Sequence, residues 1–224
     1  KPAEQARVSM TDAQATVMKM GDGGFRPAYN PQLASDADSL VIVGLDVATI
    51  GTDQGQMGPM LDQVTERCGR APEAWLVEER CERSPEEWLV DGGYVGHEQI
   101  ERASESTCVY GPVPEPKDKT VDPHQAKARD SEAVAAWRQR MGTDEAKALY
   151  KRRAATAECV NAHSRNRGLQ QFRVRGLGKV KCVMLIFALA HNLMRMAALA
   201  PTLDQANFTG IVVQDWTRWQ EMQP

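Results

Sequence analysis

The sequence lacks several features that would indicate other classes of protein. Its 224 residues include five cysteines, and no two of them form a C-x-x-C pair. A disulfide framework is therefore not expected, and this cysteine usage fits a reducing compartment. The most apolar run, Val183 to Ala190, is far shorter than a bilayer span and is flanked by basic residues, and no signal peptide opens the chain. We therefore expect a soluble, cytoplasmic protein with no membrane partner.

Motifs for nucleotide or zinc binding are also lacking. The glycine-rich stretches Gly21 to Gly24 and Arg175 to Lys179 do not match the G-x-x-x-x-G-K-[ST] phosphate loop. Cys159 and His163 lie one helical turn apart, as in half of a zinc site, but no second pair of ligands at suitable spacing accompanies them. We therefore expect neither a nucleotide site nor a zinc site.

What the sequence does contain is an uneven distribution of charge. Residues 1–136 carry an excess of about eleven acids, whereas residues 137–182 carry an excess of about nine bases. Bases clustered in an otherwise acidic chain are typical of a surface that binds a polyanion such as nucleic acid. The alternative is a solvated basic helix face, because the segment must still fold into one surface.

A close tandem repeat lies in the middle of the chain. Glu66 to Glu78 reads ERCGRAPEAWLVE and Glu79 to Asp91 reads ERCERSPEEWLVD. Each copy ends in Trp-Leu-Val followed by an acid, which is typical of a buried strand bounded by turns. Only the second copy continues into Gly-Gly-Tyr, and glycines let backbone or a ligand approach closely. Asp91 is therefore the candidate functional acid, and Glu78 is the weaker one.

Hydrophobic periodicity and turn signals predict a mixed α/β order of elements. Lys1 to Arg26 reads as a loosely packed leader, and Asp53 is placed to cap a helix that runs through Val64. The Leu185 to Phe187 run is expected to be core. The expected strands lie at 29–34, 40–47, 88–90 and 108–110, and further helices are expected at 97–104, from 130–131, at 143–166 and at 177–199.

Asp91 and Glu158 are the candidate metal-binding acids. Asp91 follows a predicted strand, where a carboxylate is exposed at the end of a sheet. Glu158 lies in a basic predicted helix, and the residues three and four positions away are Ala or Asn, so no helical partner pairs with it. Lys151 and Arg165 lie two turns before and after it, on the same face. Two carboxylates beside such bases suit Mg²⁺ or Mn²⁺, whereas a turn aspartate and a solvated surface glutamate are the alternatives.

Six segments of the chain match one family pattern in order. They are SMTDAQATVMKMGDGGFRPAYNPQLASD, VGLDVATIGTDQGQMGPML, WLVDGGYVGHEQIERA, VYGPVP, YKRRAATAECVNAHSRNRG and VRGLGKVKCVMLIFALAHNLMR, and they cover most of Ser9 to Arg195. Together they resemble the DDE-type transposases of bacterial insertion sequences, whose catalytic core looks like ribonuclease H. Each segment alone is a loose motif, and their shared order makes the resemblance specific.

The resemblance implies an α/β fold with a ribonuclease H-like mixed sheet flanked by helices and a helical C-terminal third. It divides the chain into a leader segment (1–28), a transposase core (29–200) and a tail of unassigned role (201–224). The family's first core strand, which carries its first aspartate, lies upstream of the region that Ser9 to Asp36 resembles, so we expect both to be missing. Pro31 replaces a strand former, which weakens its strand unless that strand lies at an edge. The doubled segment resembles a tandem duplication inserted before the aspartate strand.

The resemblance also implies a reaction and a set of site residues. Asp91 matches the second catalytic aspartate, and Glu158 matches the glutamate in a pattern with Tyr150, Arg153 and Arg165. In the complete enzyme two Mg²⁺ or Mn²⁺ ions would serve cleavage and strand transfer of double-stranded DNA at transposon ends. The residues expected to hold DNA phosphates are Tyr150, Lys151, Arg153, Arg165, Arg167, Arg173, Arg175 and Lys179.

Because the first aspartate is missing, we expect this chain alone to be an inactive part of a transposase. Two alternatives stay open from the residues. One is a non-catalytic DNA-binding remnant, whose basic helices hold duplex DNA while its acids are vestigial. The other is a helical interaction module with negligible DNA affinity. The sequence leaves open whether the chain forms a homodimer.

Overall fold

The computed structural model of the chain describes residues 9–20, 23–68, 86–169 and 171–199. These residues form a mixed α/β arrangement, as the sequence predicts. The strands are β1 (Thr16–Lys19), β2 (Phe25–Ala28), β3 (Asn30–Ser35), β4 (Ile42–Ala48), β5 (Glu87–Leu89) and β6 (Cys108–Tyr110). The helices are α1 (Met57–Cys68), α2 (His97–Ser104), α3 (Glu132–Gly142), α4 (Asp144–Asn166) and α5 (Leu177–Leu199). The first repeat copy from residue 69 onward, with Glu78, and the tail 201–224 lie outside the described residues.

The strands pair in three two-stranded units. β1 with β2 and β3 with β4 are antiparallel, and β5 with β6 is parallel with Trp88 opposite Val109. The antiparallel β3–β4 pair and the parallel β5–β6 pair agree with the mixed α/β order that the sequence predicts, and the second repeat copy supplies β5. Pro31 lies opposite Val47 on β3, whose described pairing is with β4 alone, so the proline occupies the edge position that its missing N–H requires.

Local sequence signals place several helix ends correctly. Ser131 accepts a hydrogen bond from the Val134 N–H and caps α3, and Thr143 accepts one from the Ala146 N–H and caps α4. The expected cap at Asp53 is wrong, because α1 begins at Met57. Gly55 between them adopts φ 82°, a left-handed conformation that ends any helical path from Asp53.

The described part of the segment before Tyr29 (9–20 and 23–28) is more ordered than a loosely packed leader, because it contains the antiparallel β1–β2 pair. Two of its side chains also cap α5. Asp12 Oδ2 accepts a bond of 2.9 Å from the Gly176 N–H, and Gln14 Oε1 accepts one of 2.8 Å from the Leu177 N–H. Helix N-termini carry N–H groups that no residue of the helix can satisfy, and these contacts supply the acceptors.

Helix α5 packs one side against β4 and leaves the other side in solvent. Val180 and Met184 are buried with Leu45 of β4. Ile186 is 68% exposed and Leu189 62% exposed, so the expectation that the whole Leu185 to Phe187 run is core is wrong. The apolar residues of α5 are not confined to one stripe, and a helix that meets a sheet on one side buries only the stripe that faces it. By length and composition α5 would also pass for a membrane span, although it contributes to this core.

Two further apolar clusters join the sheets to the other helices. Met57 and Leu61 of α1 pack with Val109 of β6. Trp137 of α3 packs with Ile100 of α2, and this cluster, which includes Ala146 of α4, holds α3 and α4 near β6. These contacts fix α4 beside β5, where the candidate site lies.

Candidate active-site groove

A groove of about 780 Å³ separates β3 from β5. One wall consists of consecutive residues 30–38, the other of consecutive residues 86–91, and one side of α4 lines it between Leu149 and Asn161. The two strands bounding it are not paired with each other. The groove therefore runs along two strand edges and ends beside Asp91.

Asp91 directly follows the buried Val90 at the end of β5. Its side chain is 60% exposed, and its Oδ2 lies 3.4 Å from Arg153 Nη1 of α4. Its Oδ1 accepts a hydrogen bond of 2.6 Å from the Gly92 N–H. The sequence therefore placed this carboxylate correctly at the open end of a strand, with a cation of the late basic helix beside it.

Tyr150 and Arg153 attach α4 to the end of β5. The Tyr150 hydroxyl donates a hydrogen bond of 3.1 Å to the carbonyl of Val90, and burial raises the pKa of that phenol. Arg153 lies 5.6 Å from the centre of the Tyr150 ring, a distance at which a cation–π attraction acts. Because its hydroxyl donates to the Val90 carbonyl, Tyr150 orients α4 against the end of β5, and in this structure that hydroxyl is not free to contact DNA.

Glu158 is the second candidate acid and lies on α4. It lies in α4, five residues after Arg153, which corresponds to about 7.5 Å along the helix axis. Thr156, Ala157 and Val160 around it line the groove. The Glu158 side chain is outside the described part of the structure, so its convergence with Asp91 stays a prediction.

The other predicted DNA-binding residues are distributed over three connected elements. All six are exposed: Lys151 and Arg165 on α4, Arg167 at its C-terminal cap, Arg173 and Arg175 in the connection to α5, and Lys179 in the first turn of α5. The nearby Lys181 is held by Asp46 of β4 at 2.6 Å. Tyr150 and Arg153 are the members of the predicted set that lie against β5.

Sequence reasoning missed Asp53 as a groove residue. It lies in the turn between β4 and α1, and its Oδ1 accepts hydrogen bonds of 2.8 Å from the side-chain amides of Asn30 and Gln32 on β3. All three residues line the groove. The signal was present in the sequence, since an Asn-x-Gln pair on a strand places two amides on one face.

Gln32 has an unusual environment for a polar side chain. It is 2% exposed, and its Oε1 has no hydrogen-bond partner among the described residues. A buried oxygen without a partner costs about 1–3 kcal/mol, so such an atom calls for a ligand or a further protein group. Amide and carboxylate oxygens are the donors that hard divalent cations prefer.

The described residues contain no group of three or more His, Cys, Asp and Glu side chains close enough to hold a metal ion. Two carboxylates, Asp53 and Asp91, and the buried amide oxygen of Gln32 line one groove. This all-oxygen set fits Mg²⁺ or Mn²⁺, which keep several waters and need only one or two protein carboxylates.

Comparison with known proteins gives one result for this region. No curated protein and no solved structure matches the chain. Residues 95–197 match the family model described as "Transposase DDE domain". The range begins four residues after Asp91 and includes Glu158 and all the predicted DNA-binding residues. The match supports a DDE-type transposase as the class of protein to which this region is related.

Proposed function

We propose that this chain is the C-terminal part of the catalytic core of a bacterial insertion-sequence transposase. Such a core cleaves and joins DNA phosphodiester bonds. The observation that carries the proposal is the position of Asp91 at the open end of β5, 3.4 Å from an arginine of the helix that contains Glu158. The family match over residues 95–197 supports it.

Asp91 and Glu158 are the proposed metal ligands and catalytic acids. Bound Mg²⁺ or Mn²⁺ would supply Lewis-acid activation of water or a 3′-hydroxyl and stabilise the departing oxygen. Arg153 neutralises Asp91 in the absence of a metal and is placed to contact a phosphate there. Lys151, Arg165, Arg167, Arg173, Arg175 and Lys179 hold the DNA backbone, a contact that positions the duplex without reading its sequence.

The groove between β3 and β5 is the proposed place of the missing first core strand. Walls made of consecutive strand residues suit an extended segment, which would pair with β5 and with the part of β3 that follows Pro31, because Pro31 has no N–H to donate. An aspartate at the end of such a strand would lie near Asp91 and supply the third carboxylate. Without it, the site lacks the first of the three carboxylates that the resemblance implies, and we propose that the chain alone is inactive.

The proposal is tested by measuring binding and cleavage of a short DNA duplex in the same samples. We expect binding that weakens steeply as salt rises, with the equilibrium constant losing roughly tenfold or more between 50 and 200 mM salt. We expect no nicking in Mg²⁺. The Arg173→Gln/Arg175→Gln variant should weaken binding and flatten the salt dependence, because each lost phosphate contact reduces the number of released counterions.

The matched control is Lys127→Gln/Arg129→Gln, which removes two exposed bases from the loop before α3, outside the basic segment. Robust Mg²⁺-dependent nicking that Asp91→Asn abolishes would contradict the proposed inactivity. Negligible DNA affinity at physiological salt would favour the helical interaction module. DNA binding with metal affinity unchanged in both Asp91→Asn and Glu158→Gln would favour the non-catalytic remnant.

Cytoplasmic localisation is proposed together with the transposase function. Light scattering on the same samples would test whether the chain forms a homodimer.

A further inference from the structure

Asp53 is held so that one of its carboxylate oxygens is directed away from β3. Both amide hydrogen bonds, from Asn30 and Gln32, end on Oδ1. Oδ2 points towards the turn that follows β5, because a Cβ built on Gly93 would lie 3.0 Å from it. The two amides therefore fix the orientation of the carboxylate, and Oδ2 lies against Gly93, where a side chain would crowd it.

Asp53 packs against the turn that begins at Asp91, and both acids line the groove. Gly93 lies two residues after Asp91, and the next residue, Tyr94, is affected by both acids. Burial raises the pKa of the Tyr94 phenol, and the negative charges of Asp53 and Asp91 raise it further. The groove therefore brings two carboxylates to one region, where Arg153 pairs with Asp91 while Arg152, which also lines the groove, pairs with Asp38.

Gln32 supplies an independent indication that this position takes a ligand. Its Nε2 contacts Asp53 Oδ1 at 2.8 Å, and Oε1 belongs to the same amide group, so Oε1 lies at most about 5 Å from that carboxylate oxygen. This oxygen is buried and has no partner in the described part of the chain. A cation held between the carboxylates would give it one.

We propose that Asp53 and Asp91 bind one divalent cation together, with the amide oxygen of Gln32 as a third protein donor. Asn30 is a positioning residue, which keeps Asp53 turned towards the cation. This inference rests on the proposed function, which requires a metal ion. It adds Asp53, a carboxylate that the family pattern did not indicate. The competing interpretation is a structural clip, in which Asp53 only ties the turn after β4 to β3.

The two side-chain amides that contact Asp53 allow a direct test. In ¹⁵N-labelled full chain, the NH₂ signals of Asn30 and Gln32 should broaden at substoichiometric Mn²⁺, because a paramagnetic ion bound at Asp53 relaxes nearby protons. Asp53→Asn keeps an oxygen that can accept both amide bonds but removes the charge. We expect it to raise the Mn²⁺ dissociation constant at least about tenfold, measured by electron paramagnetic resonance, and Asp91→Asn to do the same.

Asp144→Asn is the control, since its side chain is fully in solvent at the start of α4, and it should bind Mn²⁺ as the unmodified chain does. Gln32→Met removes the third donor and serves as a second variant; we expect it to weaken Mn²⁺ binding several-fold. Equal Mn²⁺ affinity in Asp53→Asn and Asp144→Asn, with Asp91→Asn still impaired, would overturn the role of Asp53 and leave the proposed function intact. No Mn²⁺ binding by the unmodified chain would overturn this inference and the metal-dependent step of the proposed function, whereas DNA binding would remain a separate measurement.

Discussion

At the scale of single residues, the contact between Arg153 and Asp91 links the two halves of the candidate site. A guanidinium 3.4 Å from the carboxylate neutralises it and competes with any cation that binds there. The same guanidinium is available to a phosphate once a metal takes over the carboxylate. Arg153 therefore opposes metal binding at Asp91 and favours binding of a DNA phosphate, and the proposed function requires both ligands.

Replacing Arg153 with Gln should strengthen Mn²⁺ binding and weaken DNA binding. The metal affinity should rise by about threefold to tenfold, which corresponds to about 1 kcal/mol for the loss of a partly exposed cation beside the metal ligand. Isothermal titration calorimetry measures the first effect, and fluorescence anisotropy with a labelled duplex measures the second. Arg152→Gln is the matched control, because Arg152 is the adjacent base on α4 and pairs with Asp38 instead. Weaker Mn²⁺ binding in Arg153→Gln would contradict this account.

At the scale of elements, sequence reasoning succeeded wherever a local signal decides the structure. The ends of α2 and β6 agree with expectation to the residue, and Ser131 and Thr143 cap α3 and α4 through hydrogen bonds to neighbours in sequence. It failed where distant contacts decide. The amides that hold Asp53 come from β3, about twenty residues earlier, and no periodicity within α5 indicates which side meets β4.

The attachment of α5 to β4 should make stability depend on pH. His191 is 1% exposed, and its Nε2 lies 2.9 Å from the Leu40 carbonyl, to which it donates. Burial lowers the pKa of His191 below its usual 6.5; the Leu40 carbonyl opposes this, and the charges of Arg167, His163 and Arg195 lower it further. The unfolded chain then takes up a proton at a higher pH than the folded chain. The contribution of neutral His191 to the free energy of unfolding is therefore fully present above about pH 6.5. It decreases as the pH falls below that value, by at most about 1.4 kcal/mol per pH unit.

His191→Gln removes the titrating ring and keeps a donor for Leu40. We expect the free energy of unfolding, measured by urea denaturation between pH 7.5 and 5.5, to decline less steeply in this variant than in the unmodified chain. His97→Gln, at an exposed position on α2, is the control and should retain the original slope. Identical slopes in all three proteins would show that His191 does not set the pH dependence.

At the scale of the whole molecule, side chains cover the outer edges of two strand pairs and leave their inner edges to the groove. Asn192 of α5 bonds both the N–H and the carbonyl of Ile42 on β4, and Gln63 of α1 accepts from the Leu45 N–H. On β6 the Val109 carbonyl accepts from Arg140 of α3. One extended strand between β3 and β5 would therefore join both pairs into a single sheet whose outer edges are already protected.

Hydrogen exchange followed by NMR tests whether the inner edge of β5 is open. The Val90 N–H bonds the Tyr110 carbonyl and the Cys108 N–H bonds the Glu86 carbonyl, so alternate residues of β5 face β6. By the pleat of the strand, the N–H groups of Glu87 and Leu89 face the groove. We expect the Leu89 amide to exchange more than about tenfold faster than the Val90 amide under native conditions, because only Val90 has a strand partner. Equal protection of Leu89 and Val90 would mean that the edge of β5 is already covered, and the groove could not receive the missing strand.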